Sequence, residues 1–258
     1  MNALNNISII MAAYQAEVTI SESIESVLAQ TYESWELIIV NDASGDNTEK
    51  IAKLYADKDK RIRVFANEIN LGAALTRNFG ISQASGEFLA FLDSDDLWRK
   101  DKLAKQFEFM KDKNAVISFT GTSYINVKGK ISNYVLQAKS EFTYKELLRG
   151  NIMSCSSVMV RRENMIEFPT GHLHEDYVVW LSILKKIKCA HGLNEPLLIY
   201  RLGEATKSSS RINSARMIFN AYRQIGYGRL LSSTYTLRYA LHSLRKRAKI
   251  KNNRERKK

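Results

Sequence analysis

Asp93 and Asp95 stand two residues apart in Phe91-Leu92-Asp93-Ser94-Asp95-Asp96, at the end of an apolar run. At a strand end, residues i and i+2 point to the same side, so the two carboxylates converge. Converging carboxylates repel unless a cation lies between them. An all-oxygen pair favours Mg²⁺ or Mn²⁺ over zinc, with phosphate oxygens and water completing the shell. The same residues also fit a solvated turn in which Asp96 caps the following helix. A second acidic pair, Glu175-Asp176, opens a helix farther along. There the carboxylates serve either as partners of the helix macrodipole or as a base. A cation-bound diphosphate on one side and a carboxylate base on the other are the parts for displacement at a sugar carbon. The base would deprotonate an incoming hydroxyl while the cation neutralises charge on the departing diphosphate. His172 and His174 offer a different ligand pair, with no cysteine or third histidine close by in sequence.

Three further candidates lie at strand ends or in a helix whose start faces them. Tyr14 could stack on a nucleobase and Asp42 could accept from its N–H, although each alone also fits ordinary packing and an Asx turn. Arg77, in Asn70-Leu71-Gly72-Ala73-Ala74-Leu75-Thr76-Arg77-Asn78, could bind phosphate bidentately or stay solvated on its helix. Neither GxGxxG after the first strand nor GxxxxGK[ST] occurs, which disfavours NAD enzymes and P-loop ATPases.

These residues are positioned by an alternation of elements. Residues 7–11 read as a strand, 19–30 as a helix with Ile20, Ile24, Val27 and Leu28 at helical spacing, and 35–40 as a second strand. A helix through Ile51, Leu54 and Tyr55, a strand over 62–66, a helix over 73–82, a strand over 88–92 and a helix over 102–111 continue the series. Near-continuous apolar strands alternating with helices imply an α/β fold: a mostly parallel sheet, covered on both faces and joined by right-handed crossovers. Ligands of such sheets sit beyond the carboxyl ends of the strands, where Tyr14, Asp42 and the Asp93 cluster all fall. After about residue 115 the pattern loosens into strands over 116–122 and 157–161 and helices over 144–149 and through Val178, Leu181, Leu184 and Ile187. From Ser209 two basic amphipathic helices are predicted, broken near Gly226 and Gly228.

A chain of 258 residues, 45% hydrophobic and 26% charged, suits one globular domain with or without an appendage, which excludes wholesale disorder and a disulfide mini-scaffold. The net charge of +12 is unevenly placed. Residues 1–200 hold 23 Lys/Arg against 25 Asp/Glu, whereas residues 201–258 hold 16 against 2. A near-neutral body is thus joined to a polycationic end, which suits an anionic membrane surface, with Tyr222, Ile225, Tyr227, Leu230, Leu231, Tyr235, Leu237, Tyr239, Leu241 and Leu244 supplying apolar area. The helices could equally pack on the body or form a dimer interface. Nucleic-acid binding is not expected, because the body is slightly acidic and no RNA module is evident. No run reaches membrane-spanning length, and the opening MNALNNISIIMAAY lacks a basic n-region, so a cytoplasmic chain is expected, peripheral at the inner face of the membrane. Cys155 and Cys189, in no ligand spacing, are expected to be buried free thiols.

Taken in order, Ser8-Ile9-Ile10-Met11-Ala12-Ala13-Tyr14, Val40-Asn41-Asp42-Ala43-Ser44-Gly45-Asp46-Asn47-Thr48, Leu71-Gly72 through Arg77-Asn78, Leu92-Asp93-Ser94-Asp95-Asp96 and Glu175-Asp176-Tyr177 through Trp180-Leu181 resemble a family 2 glycosyltransferase. The resemblance covers roughly residues 7–202. It implies a GT-A fold, an inverting mechanism, a nucleotide-diphosphate sugar donor (UDP by family habit) and a divalent cation, Mg²⁺ or Mn²⁺. By analogy Tyr14, Asp42, Arg77, Asp93 and Ser94 would hold the donor, Asp95 with Asp93 the metal, and Asp176 would be the base with Glu175 beside it. Residues 1–115 would then form the nucleotide-sugar half, 116–205 the acceptor and base half, and 206–258 a basic helical extension. Many relatives carry Pro and Asn where this chain has Ala12 and Gln15, and a histidine where it has Gly203; Arg201, Lys207 or Ser208 could substitute for that histidine. Members lacking the histidine are similar to bacterial enzymes of lipopolysaccharide, capsule or O-antigen synthesis, which implies a glycan or lipid-linked acceptor. The alternative function is a catalytically silent sugar-nucleotide binder or membrane adaptor.

Overall fold

The computed structural model describes residues 7–126, 129–202 and 211–255. Gly203, Lys207, Ser208 and the expected boundary at 205/206 lie outside the described residues.

The strands β1 (Ile7–Ala13), β2 (Trp35–Asn41), β3 (Ile62–Ala66) and β4 (Phe88–Phe91) form the parallel half of one sheet. β2 and β3 are laid down on one side of β1, and β4 pairs with its other edge, Ile7 opposite Phe88. The largely apolar runs of β1, β2 and β4 reflect burial from both sides, whereas the edge strand β3 is only partly buried. Ile7, Ile9 and Met11 enter one core with Ile20, Ile24 and Val27 of the helix α1 (Ile20–Leu28), while Ile10 enters the opposite core. The helices α2 (Thr48–Ala56) and α3 (Ala73–Ser82) complete the crossovers. α3 carries a glycine that costs a helix interior about 1 kcal/mol relative to alanine. Close packing explains it: a Cβ at Gly80 would lie 2.9 Å from Ile10 Cγ2 of the underlying strand.

Beyond β4 the sheet is mixed. A short strand β5 (Leu97–Trp98) and the helix α4 (Lys102–Asp112) lead to β6 (Ile117–Ile125), β7 (Ile131–Leu136), β8 (Glu141–Phe142) and the short helix α5 (Tyr144–Leu147). A single turn at Cys155–Ser157 delivers β9 (Val158–Arg161), which runs antiparallel between β4 and β6. After the helix α6 (Glu175–Leu184), β10 (Ala190–Arg201) returns parallel to β6, giving the order β3-β2-β1-β4-β9-β6-β10-β5. Both cysteines are free and buried.

The C-terminal helices α7 (Arg211–Gln224) and α8 (Arg229–Glu255) are fastened to this body. Ile218, Ala221 and Tyr222 of α7 belong to the same core as Tyr177 and Trp180 of α6. The Tyr177 and Tyr222 hydroxyls lie 2.9 Å apart and donate to the carbonyls of Leu147 and Leu148 at 2.8 and 2.7 Å. Tyr235 and Tyr239 of α8 stack against Tyr222 and Tyr177, each with ring centroids 5.4 Å apart. The tyrosines predicted to supply surface area are therefore directed into the body. Gly226, at φ 99°, makes the break between the helices in a conformation that side chains rarely adopt.

Candidate active site

Because β2 and β4 flank β1 on opposite sides, a crevice opens beyond the carboxyl ends of β1 and β4. A cavity of about 680 Å³ lies there, ample for a drug-sized ligand. Its walls come from Tyr14, Gln15 and Ala16 after β1, residues 71–74 and Arg77 of α3, Asp93, Ser94 and Asp95 after β4, residues 169–173, Glu175 of α6, Tyr200 of β10 and Met217 of α7.

The loop after β1 is braced on the loop after β2. N–H groups of Gln15, Ala16 and Glu17 donate to Ser44 Oγ, Thr48 Oγ1 and Asp46 Oδ2 at 3.0, 2.7 and 3.1 Å. Tyr14, half exposed, is thereby held at the cavity mouth. Gln15 has φ 48°, a left-handed conformation that asparagine adopts more readily than glutamine.

Asp42 does not line the cavity. Its Oδ1 accepts from Asn67 Nδ2 and the Leu71 N–H, both at 2.8 Å, and its Oδ2 accepts from the Gly72 N–H at 2.9 Å. Burial alone would raise its pKa, but these donors and Thr76 outweigh it and hold the carboxyl below the usual range. Gly72, with φ 82° and ψ 163°, occupies a region essentially restricted to glycine, and so presents that N–H where α3 begins.

Arg77 joins the two acidic clusters. Its Nη2 donates to Asp93 Oδ1 at 2.7 Å and its Nη1 to Glu175 Oε1 at 2.9 Å, and its side chain is only 9% exposed. The guanidinium is thus engaged by two carboxylates instead of standing free.

The Asp93 turn is held from several sides. The Asp93 N–H donates to Ser156 Oγ at 3.1 Å, Thr19 Oγ1 donates to the Ser94 carbonyl at 2.9 Å, and Arg201 Nε donates to the Asp95 carbonyl at 2.8 Å. Asp95 opens to the cavity, yet surrounding protein and then the Asp93 charge, opposed by Arg201 and Arg77, push its carboxyl up to about 6. Such mutual repulsion is what a cation beside Asp93 and Asp95 would relieve, and both side chains offer the hard oxygens it needs. Asp96 does not cap the next helix, because that position belongs to Asp101. It is buried, its Oδ1 accepts the Arg201 N–H at 2.9 Å, and burial with the charges of Asp95 and Asp93 pushes its carboxyl far up.

Asp176 sits in the first turn of α6, set behind the lining residue Glu175, with Oδ1 accepting the Tyr177 N–H at 2.8 Å. Burial and the charge of Glu175, opposed by Arg77, push it up to about 7, where a carboxylate can act as a base near neutrality. Tyr14, Arg77, Asp93, Ser94, Asp95 and Glu175 therefore share one cavity, with Asp42 and Asp176 behind its wall. His172 Nε2 bonds Asn213 Oδ1 at 2.8 Å, and among the described residues no group of three or more His, Cys, Asp or Glu is arranged to hold a metal.

Sequence reasoning missed the far wall. Asn220 Nδ2 donates to the His172 carbonyl at 2.8 Å, so Asn213 and Asn220, seven residues apart on one face of α7, clasp the loop in front of α6 while Met217 between them reaches the cavity. That spacing within a helix is the signal that could have found them.

Known proteins place this architecture. The fold is similar to that of S. aureus TarS 1-349 in complex with UDP-GlcNAc, with a TM-score of 0.71 and 21% identity over 89% of this chain and 70% of that one. The putative teichuronic acid biosynthesis glycosyltransferase TuaG of Bacillus subtilis (strain 168) is 38% identical over 244 residues, 93% of this chain and 97% of TuaG. WfgD of Escherichia coli, a UDP-Glc:alpha-D-GlcNAc-diphosphoundecaprenol beta-1,3-glucosyltransferase, is 36% identical over 249 residues, 94% of this chain and 95% of WfgD. The model of Glycosyl transferase family 2 matches residues 8–166, more than half the chain. With near full-length relatives of the same kind, this match makes the protein a glycosyltransferase and a member of glycosyl transferase family 2.

Proposed function

We propose that the enzyme transfers a sugar, with inversion, from a UDP-sugar to a hydroxyl of a lipid-linked glycan in bacterial surface polysaccharide synthesis. The observation that carries this reading is the pairing, around one cavity, of the Asp93–Asp95 carboxylates with Glu175 across the Arg77 bridge, with Asp176, its carboxyl pushed up to about 7, next to Glu175 in the first turn of α6. In this reading Tyr14, Arg77, Asp93 and Ser94 bind the donor, while Asp42 shapes the nucleoside end through Leu71 and Gly72. Asp95 and Asp93 would hold Mg²⁺ or Mn²⁺, which supplies positive charge at the departing diphosphate. Asp176 takes the proton from the acceptor hydroxyl. The acceptor oxygen then bonds the anomeric carbon from the face opposite the departing UDP as the carbon–oxygen bond to UDP breaks, which inverts the configuration. Residues 1–115 serve the donor, 116–205 the acceptor and base, and 206–258 peripheral attachment at the inner membrane face. The named activities of TuaG and WfgD support a lipid-linked or cell-surface acceptor.

The test is thermal stability with UDP, GDP, dTDP and CMP, with and without Mn²⁺, followed by transfer assays. A ligand at 100 times its Kd stabilises by about 2.7 kcal/mol. Metal-dependent stabilisation by UDP, lost in Asp95→Ala, and transfer lost in Asp176→Asn with UDP binding kept, are the expected results. Transfer that survives both substitutions would overturn the reading.

A further inference from the structure

α8 has two unlike faces. On one, Ser232 is fully buried, Tyr235 and Tyr239 pack into the tyrosine cluster, and His242 lies against Gly150. On the opposite side Leu230, Leu237, Leu241 and Leu244 are 82%, 63%, 50% and 46% exposed. Their spacing of seven, four and three residues aligns them in one stripe along the helix. Four outward leucines in register are not the scatter of single apolar side chains that any surface shows.

The charge along the helix is of one sign up to its last residue: Arg229 and Arg238 lie beside the stripe in sequence, and six further Lys/Arg follow it between Arg245 and Arg254. Within Arg229–Glu255 there are eight Lys/Arg against the single acid Glu255, and the chain has no acidic residue between Ala205 and Arg254. An occupant of this face must therefore offer both hydrocarbon and negative charge. A second copy brings leucines but also the same excess of cations, and so repels. A nucleic acid brings phosphates but nothing for leucine to enter. Among the described residues no helix is long and apolar enough to cross a membrane, so the helix suits lying in an interface and not passing through it.

We propose that the leucine face of α8 is a docking surface for anionic lipid bilayer, the helix lying in the interfacial plane with its tyrosine face holding the catalytic body above. This deepens the peripheral attachment proposed above, and rests on that reading only for its use, since lipid binding is measured without donor or acceptor. It also assigns the contact to the leucines as well as to the cations.

The experiment is flotation of the full chain with vesicles of phosphatidylcholine alone or mixed with phosphatidylglycerol. Binding to the mixed vesicles, weakened by salt, is expected, together with a loss of about tenfold or more in Leu237→Glu/Leu241→Glu. The melting temperature and any metal-dependent stabilisation by UDP should be unchanged in that variant, which separates this proposal from the transferase reading. Leu237→Trp provides a second readout: its emission should shift to the blue on adding mixed vesicles and be quenched by brominated lipid. Equal binding by the double-glutamate variant and the wild type, or a tryptophan that stays in water, overturns the proposal. So does wild-type protein that ignores vesicles while forming a leucine-dependent dimer or binding RNA.

Discussion

Arg77→Met keeps an unbranched apolar stem but deletes the guanidinium that Asp93 and Glu175 share, leaving two carboxylates facing each other without a counter-charge. Breaking a buried pair from one side costs about 3–5 kcal/mol. The carboxylates here retain 31% and 24% of their exposure, so water offsets part of the loss and the lower end, about 3 kcal/mol, is expected. Arg77→Lys keeps the charge but not the fork, and can serve one carboxylate at a time, so a loss of roughly half that size is expected. Urea unfolding at neutral pH, without nucleotide or metal, measures both. Adding Glu175→Gln to Arg77→Met removes one stranded charge and should recover part of the stability, although each substitution alone is destabilising or neutral. If Arg77→Met lies within about 0.5 kcal/mol of wild type, or matches Arg77→Lys, then solvent screens the bridge and the fastening role assigned to it is wrong.

Two further outcomes follow from the same geometry. Asp176 must be ionised to act as a base and does so as pH rises through about 7, so kcat/KM should fall on the acid side; Glu175→Gln removes a neighbouring negative charge and should move that limb down by roughly 1 pH unit. A pH profile with an unmoved limb would remove Asp176 from the role. Lys102 is fully buried, its Nζ has no hydrogen-bond partner and lies 3.8 Å from the Trp98 ring centroid, and burial holds its pKa well below 10.5. The unfolded chain therefore binds the extra proton, which penalises folding at neutral pH, and Lys102→Met should gain about 1–2 kcal/mol there, a gain that shrinks as pH rises toward the unfolded lysine pKa. Chemical denaturation at two pH values distinguishes this from a pH-independent packing gain.

The parallel half of the sheet was legible because strands covered on both faces are largely apolar: 88–91 is so throughout, and 7–11 and 35–40 each admit one polar residue, Ser8 and Glu36, where the Ser8 hydroxyl donates to Glu36 Oε1 at 2.6 Å. β10 was not, because Asn194-Glu195-Pro196 interrupts it where its pairing with β6 shifts register between Leu193 and Leu198. The direction of β9 is a tertiary matter that four apolar residues cannot encode. At the site, Asp93 and Asp95, singled out by their spacing, both line the one cavity, in the turn that follows β4. The bonding of Asp42 was invisible because its donors include the backbone N–H groups of Leu71 and Gly72, which leave no side-chain signature. Likewise the basic composition of the tail concealed Tyr222, which is fully buried. A helix can carry many cations on its outer side and still be rooted by a few rings on its inner one.

That rooting has a consequence for reach. α8 is joined to the body by interlocked tyrosines, so the height of the cavity above the outer leucines is a constant of the fold. For an enzyme seated by that face, an acceptor anchored in the same surface must lift its hydroxyl to one particular elevation. A glycan that is too short stays below the catalytic carboxylates, and one that is too long overshoots them. An enzyme seated in that way would act as a gauge, sorting acceptors by length before any sugar ring is recognised.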